Sequence, residues 1–231
     1  MIALDKPRIA LAARNNAAWC DAVTRSWGEQ TRFEAELWIN PGEAPPFYPN
    51  VVTLTPTETV PAAIAEAQGA FSVKDSFCAL DLAPFGFMPL FEAMWIWRDP
   101  EPVAEMDGRA VWRIVRDTAS LSRWAAAWRG GDSGPSPFRP TLLYERDHAF
   151  IAGETAGRII AGCVASRSEA VVGISNWFGP AELAAGCLRA VQDFAPDRPV
   201  VGYEAGSALE VMKSLGFQAL SPLRVWLRKT G

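Results

Sequence analysis

Residues 171–194 read VVGISNWFGPAELAAGCLRAVQDF. An apolar run passes into a helical pattern with only Gly179 and Pro180 between them. This is a buried strand, a very short turn and a helix. Junctions of this kind often hold an anionic cofactor at the helix N-terminus, where free N–H groups and the helix dipole converge. Whether a two-residue turn can do so depends on the rest of the chain.

Downstream of residue 110 the pattern is legible. VWRIVRD (111–117) alternates as a strand, and TASLSRWAAAWRG (118–130) reads as an amphipathic helix. Thr118 is its expected N-cap, and Leu121, Trp124, Ala125 and Trp128 share one face. The Gly-, Ser- and Pro-rich segment 129–140 is too long for a simple turn and reads as a functional or mobile loop. Residues 141–178 give up to three strands in an antiparallel meander, with turns at 154–157 and around 166–169. A helix over 181–194 ends before Pro196. PVVGYE (199–204) is a short buried strand, SALEVMKSLGF (207–217) a helix closed by Gly216, and LRVWLRK (223–229) the last strand.

The first half is similar at its end. NNAAWCDAVTRSWG (15–28) is a helix with Trp19, Val23 and Trp27 at helical spacing. Within WINPGEAPPFYPNVVTL (38–54), FYPN could line a pocket between the halves or simply form a turn feeding a strand. FCALDL (77–82) reads as a strand, LAPFGFMPLFEA (82–93) as a broken helix or turn, and MWIWRD (94–99) as a strand. Each half therefore closes on strand, short helix with a Gly-Phe pair, strand. The acidic, proline-bearing segment DPEPVAEMDGR (99–109) reads as a linker. The expected division is 1–100, a linker at 101–109, and 110–231.

Several classes are set aside. A net charge of -4 with no basic run is not a nucleic-acid footprint. The most apolar run (77–97) is broken by Asp81, prolines and a glycine, against a membrane span. The opening residues lack a signal-peptide layout, so a cytoplasmic location is expected. Cys20, Cys78, Cys163 and Cys187 form no C-x-x-C pair and read as buried thiols. Ten tryptophans and twelve phenylalanines suit core filling first, an apolar cleft or subunit interface second. Trp95, Trp97, Trp112 and Trp177 could bury a dimer face, giving a homo-oligomer, or join the two halves. His148, the sole histidine, reads as an exposed edge position, and Asp81 as a cap for the helix that follows it.

The second half resembles the GNAT acyltransferase superfamily over residues 111–229. SALEVMKSLGFQAL carries the resemblance, with Ala208 and the triplet Leu215-Gly216-Phe217 where the family marks the helix before its final strands. The meander followed by strand, turn and helix agrees. The resemblance implies an α/β (α+β) fold, a mixed, mostly antiparallel sheet flanked by helices, with residues 1–100 as a degenerate front copy of a tandem pair. It also implies acetyl- or acyl-coenzyme A in a cleft between two splayed strands, 171–178 and 200–204, and a small-molecule amine as acceptor. On that mapping Ser175, Asn176, Trp177, Phe178, Gly179, Ala181 and Ala185 contact the cofactor. Tyr203, Glu204 and Tyr144 are the nearest acid–base groups, with Tyr203 and Glu204 preferred.

The departures from the family pattern are as informative. The glycine-rich loop is missing, Pro180 has no N–H, and Glu182 places a carboxylate in the first helical turn. Met212 stands where the family often has a proton-donating tyrosine, and Ala205 where it often has an asparagine. No carboxylate lies on the first splayed strand. Two functions remain, an N-acyltransferase and a non-catalytic relative that binds a ligand or a protein.

Overall fold

The computed structural model describes residues 5–103, 109–131, 134–168 and 170–229. The first half runs α1 (Asp5–Ser26), β1 (Arg32–Phe33), β2 (Leu37–Ile39), β3 (Val51–Thr53), α2 (Ala62–Ala65), β4 (Phe71–Asp75) and β5 (Met88–Arg98). The second runs β6 (Val111–Ile114), α3 (Thr118–Trp128), β7 (His148–Thr155), β8 (Arg158–Arg167), β9 (Val172–Phe178), α4 (Ala184–Phe194), β10 (Val200–Glu204), α5 (Gly206–Ser214) and β11 (Gln218–Arg228). No helix of the described residues is long and apolar enough to cross a membrane.

The chain forms two compact units, Met1–Trp95 with Leu220–Gly231, and Ile96–Ala219. The boundaries fall inside β5 and β11 rather than in the acidic segment 99–109, of which residues 104–108 lie outside the described ones. The last strand of the chain thus completes the first unit. There β1, β2 and β3 are antiparallel neighbours, β3 and β4 are parallel across α2, and β11 runs antiparallel to β4 with Arg224 opposite Asp75. Leu37, Val51, Ile64, Val73, Phe87 and Trp226 meet in its core. The FYPN turn explains itself. Asn50 donates to the carbonyls of Asn40 and Gly42, and Tyr48 packs edge-on against Trp19.

Residues 77–82 are not a strand. The strand comes earlier, as β4, and the buried Asp75 carboxylate ends it by accepting the N–H groups of Phe77 and Leu80 at 3.2 and 2.9 Å. Cys78 takes a left-handed conformation (φ 50°) in the resulting loop and is half-buried, unlike the other three cysteines. Burial raises the Cys78 thiol to about 11, reinforced by the Asp75 carboxylate. Asp81 is exposed and accepts the Ala83 N–H of a short 3-10 turn, Ala83–Phe85, after which β5 begins at Met88.

In the second unit β7, β8 and β9 form the antiparallel meander, β6 lies beside β7, and β10 joins β9 in parallel after α4. One face packs Ile151, Cys163, Ile174, Leu188, Val191 and Met212 into a core under α4 and α5. Each such aliphatic side chain contributes about 1.5–3 kcal/mol when fully buried. The other face is aromatic. Trp124 of α3 donates to the Ile151 carbonyl at 2.8 Å and meets Phe138, Phe150 and Phe178 edge-on. The N-cap of α3 is Asp117, not Thr118, because Asp117 is the extended residue whose carboxylate accepts the Ser120 N–H.

Tryptophans serve both cores. Trp95 and Trp97 are buried, donating to the Ser76 carbonyl and the Asp99 carboxylate at 2.8 Å each. Trp112 sits where side chains on Gly153 or Gly186 would collide with it. His148 opens β7 between β6 and β8, so it is a half-buried residue of an interior strand, not an exposed edge position.

Candidate functional site

The two parallel strands of the second unit part company after two residues. Val172 faces Val200 and Gly173 faces Val201, with the Val172 N–H donating to the Pro199 carbonyl at 2.9 Å. Beyond that pair, β9 continues to Phe178 and β10 to Glu204 with no register between them. Gly202 stands at the fork. A Cβ there would lie 2.7 Å from the Ile174 carbonyl oxygen, so any larger residue would push the strands apart too early.

A bulge in β9 bends it away. Gly162 of β8 faces Phe178 while Val164 faces Ser175, which leaves one extra residue on β9. Asn176 takes the left-handed conformation this requires, at φ 52°. The chain then returns to Ile174-like sidedness. Trp177 packs against the core beneath α4, and Phe178 joins the aromatic face at Trp124. The Ser175 hydroxyl and the Trp177 indole N–H are both buried, and among the described residues neither has a hydrogen-bond partner. Burial along β9 loosens from its first three residues to its last four, which are all half-buried, so the strand opens toward its C-terminal end.

Counted from the last paired residue of β10, Val201, Tyr203 and Glu204 are the second and third residues on. Both are half-buried. Consecutive residues of an extended strand face opposite sides, so they flank the opening from opposite faces. Burial alone raises the Glu204 carboxyl from its ordinary 4.5 to about 7.

The turn after β9 is built for packing. Gly179 (φ 119°) lies so close to β8 that a Cβ would be 2.6 Å from the Ala161 methyl. Pro180 then leads into a 3-10 turn, Ala181–Leu183, before α4. That turn consumes the N–H groups of Leu183 and Ala184, which bond to Pro180 and Ala181 carbonyls. Ala181 and Glu182 are exposed, and Ala185 is half-buried one turn on. Among the described residues of this turn, the Ala181 and Glu182 amides are left for an anion, beside the Glu182 carboxylate.

Ser175–Ala185 and Tyr203–Glu204 therefore gather at one end of the second unit. Tyr144 does not join them; it is 85% exposed on a 3-10 turn, Pro140–Tyr144. Met212 is buried in the core and offers no proton to the cleft. Ala205 caps α5 without a side-chain bond. Two features escaped the sequence reading. Gly202 inside PVVGYE is the kind of strand glycine that marks close backbone approach. Asn176 is a residue type that tolerates positive φ in a strand bulge.

Solved structures superpose on nearly the whole chain. A GCN5-related N-acetyltransferase from Kribbella flavida superposes with a TM-score of 0.65 at 14% identity, over 95% of this chain and 96% of that one. The fold is that of the GNAT N-acetyltransferases. A functionally unknown conserved protein from Staphylococcus epidermidis gives 0.62 at 9% identity over 88% and 95%. An acetyltransferase of the GNAT family from Novosphingobium aromaticivorans gives 0.55 at 15% over 92% and 96%. No protein-family model and no curated protein matches the chain. The GNAT fold carries the mostly antiparallel sheet and flanking helices that the resemblance implied.

Proposed function

We propose that the chain is a GNAT-type N-acyltransferase that takes acetyl- or acyl-coenzyme A between β9 and β10 and acylates a small-molecule amine. The observation that carries this reading is the parting of β9 and β10 beyond Gly173 and Val201, with Glu204 at the mouth. Past Gly173 the side of β9 that faces β10 holds no register with it, which suits an extended amide-bearing arm that would add there as a strand does. The nucleotide end is less well met, by the Ala181 and Glu182 amides.

Bound acyl-coenzyme A would supply the thioester whose C–S bond breaks as the amide C–N bond forms. The chain's own part is acid–base and positional. Ionised Glu204 accepts the proton that the acceptor nitrogen must lose, and a value near 7 keeps it basic yet partly ionised at neutral pH. Tyr203 lines the opening from the other face. Trp177 and the α4 core close the cleft from below and exclude water.

The alternative reading is a ligand-binding relative without turnover. It is favoured by the buried Met212 and by the 3-10 turn that uses up two amides. Thermal melting with coenzyme A and acetyl-coenzyme A separates the readings in two stages. Saturating ligand, about a hundredfold over its Kd, adds about 2.7 kcal/mol, or roughly 5–11 °C in a chain of this size. Free-thiol release with a panel of amines then reports turnover. A melting curve indifferent to both ligands rejects the acyltransferase; a shift without thiol release supports the binding module.

A further inference from the structure

A separate pocket of about 290 Å³ opens in the second unit, at the far end of β9 from the cleft. Its walls include His148 at the start of β7 and Phe194 at the end of α4. His148 faces Ser166, whose neighbour Arg167 faces Val172, the first residue of β9. The cleft opens beyond Gly173, and its far end at Phe178 lies six residues on from Val172, roughly 20 Å at about 3.3 Å per residue.

The charges around this pocket are unevenly satisfied. Arg167 is committed: it bonds the Asp147 carboxylate and the Arg146 carbonyl, and its guanidinium lies 5.3 Å from the centroid of the Phe194 ring. Arg116 and Arg146 both line the pocket, and among the described residues neither guanidinium has an ion-pair or hydrogen-bond partner. One carboxylate, Glu145, shares the lining with them. Behind these polar groups stand the buried side chains of Leu142 and Phe150.

Guanidinium forks match a planar carboxylate two bonds at a time, and unpaired arginines beside an apolar wall recognise an acid attached to an apolar body. The volume is at the lower end of small-molecule sites. We propose that this pocket is a second ligand site, distinct from the cleft, for a small carboxylate with an apolar or aromatic body, held by Arg116 and Arg146 against the Leu142–Phe150 wall. The site stands whether or not the cleft binds coenzyme A.

His148 makes the test direct, because it is the only histidine in the chain and its ring protons give a single pair of NMR signals. Benzoate serves as the probe. Titration into the full-length protein is expected to move the His148 signals saturably in the millimolar range. The double variant Arg116→Gln/Arg146→Gln, which alters two exposed side chains and should melt as the parent does, is expected to weaken that binding at least tenfold. Three results overturn the site: His148 signals that stay put, a titration curve the double variant does not change, or an equal shift from sulfate at matched ionic strength, which would mean charge screening only.

Discussion

Replacing Glu204 by glutamine isolates the cost of a carboxylate held in a partly dry cleft. In the folded chain the group releases its proton near 7, against an ordinary 4.5. Between those values the folded state keeps a proton that the unfolded chain has already lost. Stability is therefore fully present below 4.5 and falls as pH rises through 7. At about 1.4 kcal/mol per unit the ceiling is about 3 kcal/mol. Because Glu204 is half-buried, solvent screening reduces this to about 1–2 kcal/mol. Glutamine keeps the shape and cannot ionise. Glu204→Gln should match the parent at pH 4.5 and melt higher above pH 7, by roughly 2–8 °C. Taking the difference between the two proteins at each pH removes the contributions of every other titrating group. Melting temperatures across that range, by calorimetry or dye fluorescence, give the profile. A difference that is flat with pH, or that favours the parent as pH rises, refutes the account of Glu204. Under the acyltransferase reading the parent's kcat/KM should rise through pH 7, and the same substitution should abolish that rise.

Three further outcomes follow from other contacts. Gly179→Val sets a branched side chain at positive φ against Ala161, and urea unfolding should show a loss of about 2–4 kcal/mol. Arg98→Met removes the buried guanidinium that donates to the carbonyls of Leu215, Asp99, Glu101 and Pro102, and should cost about 2–4 kcal/mol in the same assay. Glu182→Gln takes a carboxylate from beside the two free amides, worth on the order of 1 kcal/mol, so calorimetric titration should show coenzyme A binding about fivefold tighter.

The second unit was far more legible than the first, for a physical reason. Its strands β7, β8 and β9 run seven to ten residues, long enough to be read as strands, and α5 ends before a recognisable glycine, Gly216. The one-residue error at the α3 cap arose because Asp117 and Thr118 can both cap, and only the backbone angle decides between them. In the first unit β2 and β3 have three residues each, too short for a period to appear. The misplaced strand at 77–82 followed from apolar residues that are buried by a loop instead. What makes that loop is Asp75, a carboxylate whose burial the sequence does not announce. The splay of the two strands was implied by the resemblance and was not legible in the residue pattern itself. Residues 171–178 and 200–204 could be set side by side on paper, but their divergence depends on a bulge at Asn176 and a close approach at Gly202 that alternation alone does not reveal.

Because Arg224 to Arg228 pair with Asp75 to Phe71, the amino-terminal unit cannot be finished when its own first ninety-odd residues have left the ribosome. One edge of β4 must wait, exposed to unwanted pairing, until the strand that seals it has been synthesised. The order of translation and the order of assembly therefore run against each other, and nicking or shortening the chain near β11 would harm the part of the protein made earliest.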